Sequence, residues 1–150
     1  MPLTSKQINT FTLFKLPSVF FTGVRVKSIS ETSCTVSVKH RWISQNPFKS
    51  MFWAVQGMAA ELATGALVMS VIKESNLKIS MLVANNKASF FKKATGRINF
   101  TCIDGNKIKE AINLAIETKE GQTCWMKAEG VNADGIVVSV FEFEWTVKVK

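Results

Sequence analysis

An apolar stretch from Asn46 to Ile72, NPFKSMFWAVQGMAAELATGALVMSVI, constrains the fold of this chain more than any other segment. After Lys49 it contains one charged residue, Glu61. A helix that is apolar on nearly every face is either a membrane span or a helix enclosed by its own protein, because neither kind has a side that faces water. Burying an ionised carboxylate without a partner costs several kcal/mol, so Glu61 is the leading candidate for a functional residue.

Segments outside this stretch alternate apolar and polar residues with a period of two, which is the pattern of a strand with one wet face. Cys34, Val36, Val38, His40 and Trp42, for example, share one face of such a segment. The pattern predicts six strands, near residues 24–27, 34–42, 77–92, 97–103, 122–130 and 136–150.

Helical periodicity marks two further segments. Ile8, Phe11 and Phe14 predict one face of a short helix that stops before Pro17. A surface helix is expected over residues 104–118, with the aspartate at its first position as the N-cap and a glycine just beyond its end.

An α+β fold satisfies these patterns together. We expect an antiparallel sheet of about six strands wrapped around the apolar helix, which should run from about Ser50 to Ile72. The length of 150 residues suits a single domain, residues 1–150, with residues 1–21 as an N-terminal helical extension. A membrane span is the poorer alternative, because Glu61 would lie in the middle of it.

Composition narrows the function classes. Cys34, Cys102 and Cys124 are far apart and lack the spacing of a zinc site, so we expect buried thiols in a reducing compartment and no metal. The N-terminus has no secretory pattern, which predicts a cytoplasmic protein. The net charge of +8 suits a phosphate-rich ligand, a membrane surface or nucleic acid. Nucleic acid is the weakest of these, since the basic residues are dispersed and no recognition motif is present.

Three short motifs carry a resemblance to a known family. They are Asn46-Pro47-Phe48-Lys49, Ala60-Glu61-Leu62-Ala63-Thr64-Gly65 and Phe90-Phe91-Lys92-Lys93-Ala94-Thr95-Gly96. In these motifs and in the spacing between them, the chain resembles hotdog-fold proteins of the thioesterase-like superfamily. Within that superfamily it resembles a domain-of-unknown-function branch that is similar to small acyl-CoA and phenylacetyl-CoA thioesterases. The likeness covers about residues 22–150.

The resemblance implies a fold, a substrate and a site. It implies a homodimer or homotetramer that binds an acyl-CoA or acyl-carrier thioester, with coenzyme A as part of the substrate and no other cofactor. Glu61 would be the general base or nucleophile at a dimer interface, and Asn46 would position the thioester or a water. The substrate-binding candidates are Phe52, Trp53, Thr64, Phe91, Lys92 and Lys93, and Arg97 could also meet the phosphates of coenzyme A.

The chain departs from the family at one place, where Phe52-Trp53-Ala54 stands instead of His-Gly-Gly. The N–H of Trp53 could still polarise a thioester carbonyl, because a helix N-terminus has unpaired donors. The alternative is a non-catalytic protein that binds acyl chains or acyl-CoA. Hydration of enoyl thioesters is less favoured, since no Asp-His pair of the hydratase kind is visible.

Each candidate also has a structural interpretation. Glu61 could accept hydrogen bonds at a subunit interface, and Asn46 before proline is an ordinary turn former. His40, the only histidine, is expected to be a hydrogen-bonded core residue, and Thr64 could bond back to its own helix. The aromatic candidates could be core or interface residues, and the lysines could be solvated residues that discourage edge pairing.

Overall fold

A six-stranded antiparallel sheet curves around one long helix in the computed structural model, which describes residues 2–150. The helices are α1 (Ser5–Lys15), α2 (Pro17–Thr22), α3 (Trp53–Ser75) and α4 (Gly105–Thr118). The strands are β1 (Arg25–Ile29), β2 (Cys34–Lys39), β3 (Ile79–Phe90), β4 (Arg97–Cys102), β5 (Gln122–Val131) and β6 (Val137–Val149). A 3₁₀ turn, Trp42–Ser44, lies between β2 and α3.

The strands are arranged in the order β1-β2-β4-β5-β6-β3, and every neighbouring pair is antiparallel. Inward residues are buried and alternate with exposed ones, as in β4, where Ile98, Phe100 and Cys102 are buried. The predicted α+β fold is therefore confirmed. The three cysteines are buried free thiols, as expected. α4 packs against β5, β6 and α3.

α3 is the core helix. It is long and apolar enough to cross a membrane, but 67% of its most apolar window is buried inside the protein, against the concave side of the sheet. The helix begins at Trp53 and not at Ser50, because the preceding backbone is held in a loop. In that loop the N–H of Met51 donates to the carbonyl of Ala94 at 2.8 Å. α3 ends after Ser75, where Asn76 adopts a left-handed conformation.

Two buried side-chain hydrogen bonds fasten α3 to β6. The hydroxyl of Ser139 donates to Oε1 of Gln56 at 2.7 Å, and Nε1 of Trp145 donates to Oγ1 of Thr64 at 2.9 Å. The two helix positions are eight residues apart, so the two bonds attach the helix to β6 at points about two helical turns from each other. They fix both the rotation of α3 and its position along the strand.

α1 covers the outer edge of β1. The side chain of Asn9 accepts from the N–H of Val26 at 2.8 Å and donates to the carbonyl of the same residue at 3.1 Å. The expected apolar face of this helix is wrong: Ile8 is buried, but Phe14 is 74% exposed. The second buried position is Thr12, whose hydroxyl donates to the carbonyl of Asn9.

The prediction that the second strand extends to residue 42 is also wrong. β2 ends at Lys39, and Trp42 is 83% exposed in the 3₁₀ turn instead of sharing the buried face of Val38. Ser44 turns the chain here, because its hydroxyl donates to the carbonyl of Lys39 and accepts from the N–H of Arg41. The partly buried His40 therefore follows the strand and does not lie within it.

Asp104 occupies the predicted N-cap position of α4, but its carboxylate does not cap the helix. It accepts instead from the backbone N–H of Lys127 on β5 at 2.8 Å. The residue therefore ties the start of α4 to the sheet.

Candidate active site at the start of α3

A cavity of about 410 Å³ opens where the loop of residues 46–52, the first turn of α3 and the segment after β3 meet. We call it the α3 pocket. Its wall is mainly apolar and aromatic, with two cationic side chains at one side. The main lining residues are Asn46, Phe48, Phe52, Trp53, Gln56, Phe90, Lys92 and Lys93. The structure thus brings five of the candidate residues to one place.

Asn46 shapes the loop that forms one wall of the pocket. Its side-chain oxygen accepts from the backbone N–H groups of Phe48 at 2.8 Å and Ser50 at 3.2 Å. Its amide nitrogen donates to the hydroxyl of Ser50 at 3.0 Å and to the carbonyl of Met51 at 3.3 Å. Both ends of the amide are therefore engaged within the loop, which is the behaviour of a turn former.

The first turn of α3 has unpaired backbone donors, one of them on the pocket residue Trp53. Phe52 is the N-cap and has no side-chain capping bond; its own N–H donates to the carbonyl of Ser44 at 2.8 Å. The N–H groups of Trp53 and Ala54 have no acceptor among residues 2–150. Because the positive end of the helix dipole lies at the same point, an oxygen that carries negative charge is favoured here.

Aromatic and cationic side chains surround these donors. The rings of Phe52 and Trp53 meet edge to face with centroids 6.1 Å apart, and both remain partly open to solvent. Nζ of Lys93 donates to the carbonyl of Phe48 at 3.1 Å, which holds that ammonium at the rim. Lys92 is exposed, and its ammonium group forms no hydrogen bond within the described chain. The pocket therefore combines an apolar interior with a cationic side.

Glu61 does not line the α3 pocket. It lies eight residues beyond Trp53, about 12 Å along the helix axis. Its side chain is partly buried, and burial raises the pKa of its carboxyl group. No hydrogen bond or ion pair to its carboxylate occurs within residues 2–150.

Glu61 lies on a side of α3 that the sheet leaves uncovered. This side, the open stripe, consists of partly exposed residues at helical spacing around one buried glycine: Ala54, Met58, Glu61, Gly65, Met69 and Ile72. The stripe starts beside the α3 pocket. A carboxyl group with a raised pKa on such a stripe is a candidate proton acceptor for a ligand that reaches it from outside the chain.

The chain matches the model of the domain-of-unknown-function family DUF4442 over residues 4–147. It belongs to the DUF4442 family. No curated protein matches the chain.

Solved structures share the fold of this DUF4442 protein. A Pseudomonas aeruginosa protein of unknown function, named as a probable thioesterase, has a TM-score of 0.84 at 19% identity, covering 100% of this chain and 99% of its own. A protein of unknown function from Chlorobaculum tepidum TLS has a TM-score of 0.84 at 17% identity, covering 99% of each chain. A thioesterase from Haemophilus influenzae has a TM-score of 0.73 at 13% identity, covering 99% of this chain and 93% of its own. The DUF4442 protein therefore has the hotdog fold that its motifs implied.

Two other candidates of the DUF4442 protein lie outside the pocket. Thr64 is fully buried, and its hydroxyl donates to the carbonyl of Glu61 at 2.9 Å while it accepts from Trp145. Phe91 is 65% exposed and adjoins the pocket through its neighbour Lys92.

Gln56 is a pocket residue that the sequence motifs of the DUF4442 protein did not single out as a candidate. It is buried, and its amide bridges the loop and the sheet by donating to the carbonyl of Met51 at 3.4 Å and accepting from Ser139. The sequence did contain a signal for Gln56, which is an amide one turn into an otherwise apolar helix. A buried amide requires hydrogen-bond partners, so its position predicts a polar contact there.

Proposed function

We propose that this protein hydrolyses acyl thioesters carried by coenzyme A or by an acyl-carrier group. The observation that carries the proposal is the unpaired N–H of Trp53 at the start of α3, because Trp53 lines an apolar pocket. Such donors stabilise the oxyanion that forms when a thioester carbonyl is attacked. The names of two fold relatives, a probable thioesterase and a thioesterase, are in line with this reaction.

The proposed substrate pose follows the polarity of the pocket. The thioester carbonyl accepts from the N–H of Trp53, and the acyl group contacts the rings of Phe48 and Phe90. Lys92 and Lys93 meet the phosphates of coenzyme A or of a phosphorylated carrier arm. Coenzyme A is then part of the substrate, and the mechanism uses no further cofactor. Phe91 supports the same rim from outside the pocket.

Glu61 requires a second copy of the chain in this proposal. Its separation of about 12 Å from Trp53 along one helix is too large for both groups to act on the same carbonyl carbon. Two copies that face each other through their open stripes, with the α3 helices antiparallel, bring Glu61 of one copy towards Trp53 of the other. The active unit is then a dimer, alone or within a tetramer.

The proposed reaction uses Glu61 as a general base. Its carboxylate takes a proton from water while the water oxygen attacks the carbonyl carbon, and the oxyanion rests on the Trp53 N–H. Collapse of this intermediate breaks the C–S bond, and the thiolate takes the proton from Glu61. In a nucleophilic role, the Glu61 carboxylate would instead attack the carbonyl carbon, the C–S bond would break with release of the thiolate, and water would hydrolyse the resulting mixed anhydride to the acid and free Glu61.

A specific observation favours a second candidate function. Phe52 and Trp53 stand where the resemblance places histidine and the first glycine, and both bulky side chains line the α3 pocket beside the unpaired N–H of Trp53. A pocket of this kind would bind an acyl group without turning it over. The alternative is therefore a non-catalytic protein that binds acyl chains or acyl-CoA.

A panel of acyl-CoA thioesters of increasing chain length, monitored for release of free thiol, separates the two functions. Hydrolysis predicts turnover of at least one thioester well above the rate in buffer. Turnover equal to buffer, together with saturable binding of the same thioesters in calorimetry, would establish the binding protein instead. Failure of both would refute the α3 pocket as an acyl site.

A further inference from the structure

Four cationic side chains converge on the sheet face that points away from α3. Arg25 lies on β1, Lys39 ends β2, Arg97 begins β4, and Arg41 follows in the loop after β2. Lys39 and Arg97 are directly paired across the strands. Together with Gly23, these residues line a depression of about 380 Å³, here called the basic depression. None of its lining residues lines the α3 pocket.

The charges in the basic depression are not neutralised by the chain itself. The two ion pairs found within residues 2–150 are Lys87–Glu142 and Lys127–Glu129, and neither involves this cluster. Burial, together with the positive charge of Arg41, lowers the pKa of Arg25. Cations held together without a carboxylate repel one another, so an anion placed among them relieves that repulsion.

The guanidinium groups are fixed by uncharged partners. Nη1 of Arg25 donates to the carbonyls of Phe20 at 2.6 Å and Val24 at 2.9 Å, and the group lies 3.6 Å above the centre of the Phe20 ring. Nη1 of Arg97 donates to the hydroxyl of Ser37 at 2.8 Å. Each bond uses one corner of a planar group with five N–H donors, so donors remain for a ligand. Their positions are set before any ligand binds.

Gly23 is required for the position of Arg41. It has a φ of 95°, a backbone conformation that residues other than glycine rarely adopt. A Cβ atom at this position would collide with Nη2 of Arg41, so the guanidinium packs directly against the glycine backbone. In the same place Nη2 is 3.5 Å from the carbonyl of Thr22. The backbone of the α2–β1 turn thus forms part of the cradle.

We propose that the basic depression is a binding site for the phosphate group of a soluble phosphate ester. Three guanidinium groups and one ammonium match the charge of a phosphate dianion and its several acceptor oxygens better than a single carboxylate. The depression is larger than a bare phosphate, which leaves room for the group that the phosphate esterifies. A soluble ester is favoured over a lipid bilayer because the cations point into one depression and do not spread across a flat face.

Inorganic phosphate is the probe that tests this site, with the 150-residue chain in isothermal calorimetry. We expect one saturable site per chain. In the double variant Arg41→Gln/Arg97→Gln, affinity should fall at least about tenfold, which is about 1.4 kcal/mol. The matched control Lys6→Gln/Lys78→Gln removes the same charge from exposed positions elsewhere and should bind like the parent. Melting curves establish that each variant is folded.

Several outcomes would overturn the proposal. They are the absence of saturable binding up to about 10 mM phosphate, an equal loss in both double variants, or co-sedimentation with phosphatidylglycerol vesicles in the absence of phosphate binding. If the arginine variant does not fold, Lys39→Gln gives the same decision, because this exposed side chain forms no hydrogen bond within residues 2–150. It should weaken phosphate binding severalfold, and unchanged binding would count against the site.

Discussion

The carboxyl group of Glu61 is the first ionisable group of α3, and eleven residues lie between it and the next, Lys73. Its environment favours the neutral acid, since burial raises its pKa and no donor within the described chain offsets that cost. A proton acceptor near neutral pH gains from such a shift, because its basicity is then better matched to its task. The same shift means that ionisation of Glu61 lowers the free energy of unfolding.

Glu61→Gln should lower the rate of thioester hydrolysis by roughly 100-fold to 10,000-fold, the usual contribution of a general acid or base. Asn46→Ala should lower it less, because Asn46 acts by holding the pocket loop. His40→Ala should change the melting temperature and leave the rate near that of the parent, since His40 lies outside the α3 pocket. Rates from free-thiol release, measured beside melting curves, check all three. A parental rate in Glu61→Gln would show that Glu61 is structural.

The pH dependence of stability gives Glu61→Gln a second readout. A carboxyl group whose pKa is higher in the folded state binds its proton more tightly there than in the unfolded chain. Its favourable contribution is therefore complete below the unfolded pKa and is lost as the pH rises through the folded pKa. Glu61→Gln should melt higher than the parent at neutral pH, and the difference should shrink as the medium is acidified. A constant difference across this range would contradict the raised pKa.

At the scale of elements, the contact between α3 and β6 depends on polar groups inside an apolar core. The bonds Gln56–Ser139 and Thr64–Trp145 lie about two turns apart and are both buried. Gly65, beside Thr64, leaves space for the Trp145 ring, because a Cβ there would approach the ring to 3.1 Å. A buried donor deprived of its acceptor costs more free energy than the bond itself contributes.

Thr64→Val should therefore destabilise the protein, since it keeps the shape of the side chain but leaves the indole N–H of Trp145 without an acceptor. The cost of an unsatisfied buried donor, about 1–3 kcal/mol, lowers the melting temperature of a chain of this size by roughly 3–10 °C. Thermal denaturation followed by circular dichroism measures it. Thr64→Ser retains the hydroxyl and should lose clearly less. Equal melting of the two variants would mean that the bond contributes nothing.

The elements could be predicted from sequence wherever burial alternates at a fixed period. β4 is an example, because Ile98, Phe100 and Cys102 all face the core. Prediction failed where an apolar residue is not buried by this chain. Trp42 continued the alternation of β2, and Phe14 continued a helical spacing, yet both are exposed. Periodicity records which residues share a face, and it does not record whether another element covers that face.

The site was only partly predictable for a related reason. The motifs contained Asn46 and Lys93, and the departure from the family contained Trp53; the three lie near one another because a loop, a helix start and a strand end converge. Their spacing could not reveal that the amide of Asn46 is engaged within its own loop, or that Glu61 lies two turns from the pocket. Convergence of the four cations at the basic depression depends on strand register, which a single sequence does not specify.

At the scale of the whole molecule, the sheet formed within residues 2–150 has one uncovered edge. β3 pairs with β6 on one side, and its residues from Ala84 to Phe90 are exposed. A long edge strand without cover is a template for pairing with another chain. The open stripe of α3 and the exposed ring of Phe91 add apolar surface to the same molecule, and a second copy could cover both.

Sedimentation at micromolar concentration should therefore give the mass of a dimer or of a tetramer built from it. Phe91→Glu should weaken this association at least about tenfold, because it would bury a charge without a partner at the interface. Ile103→Glu is the matched control, since Ile103 is a similarly exposed apolar residue away from β3. A parent that sediments as a monomer, or equal weakening in both variants, would refute this interface.

The Asn9 side chain, which occupies the backbone groups of Val26 on β1, would also limit how far an assembly built by edge pairing grows. A chain with two free strand edges can add further copies at both ends and polymerise into a fibre. With β1 closed by α1, each chain has a single edge to offer, and a pair joined edge to edge has none left. Edge pairing through β3 would therefore stop at two copies, because the Asn9 side chain already occupies backbone groups of β1 that a further copy would need.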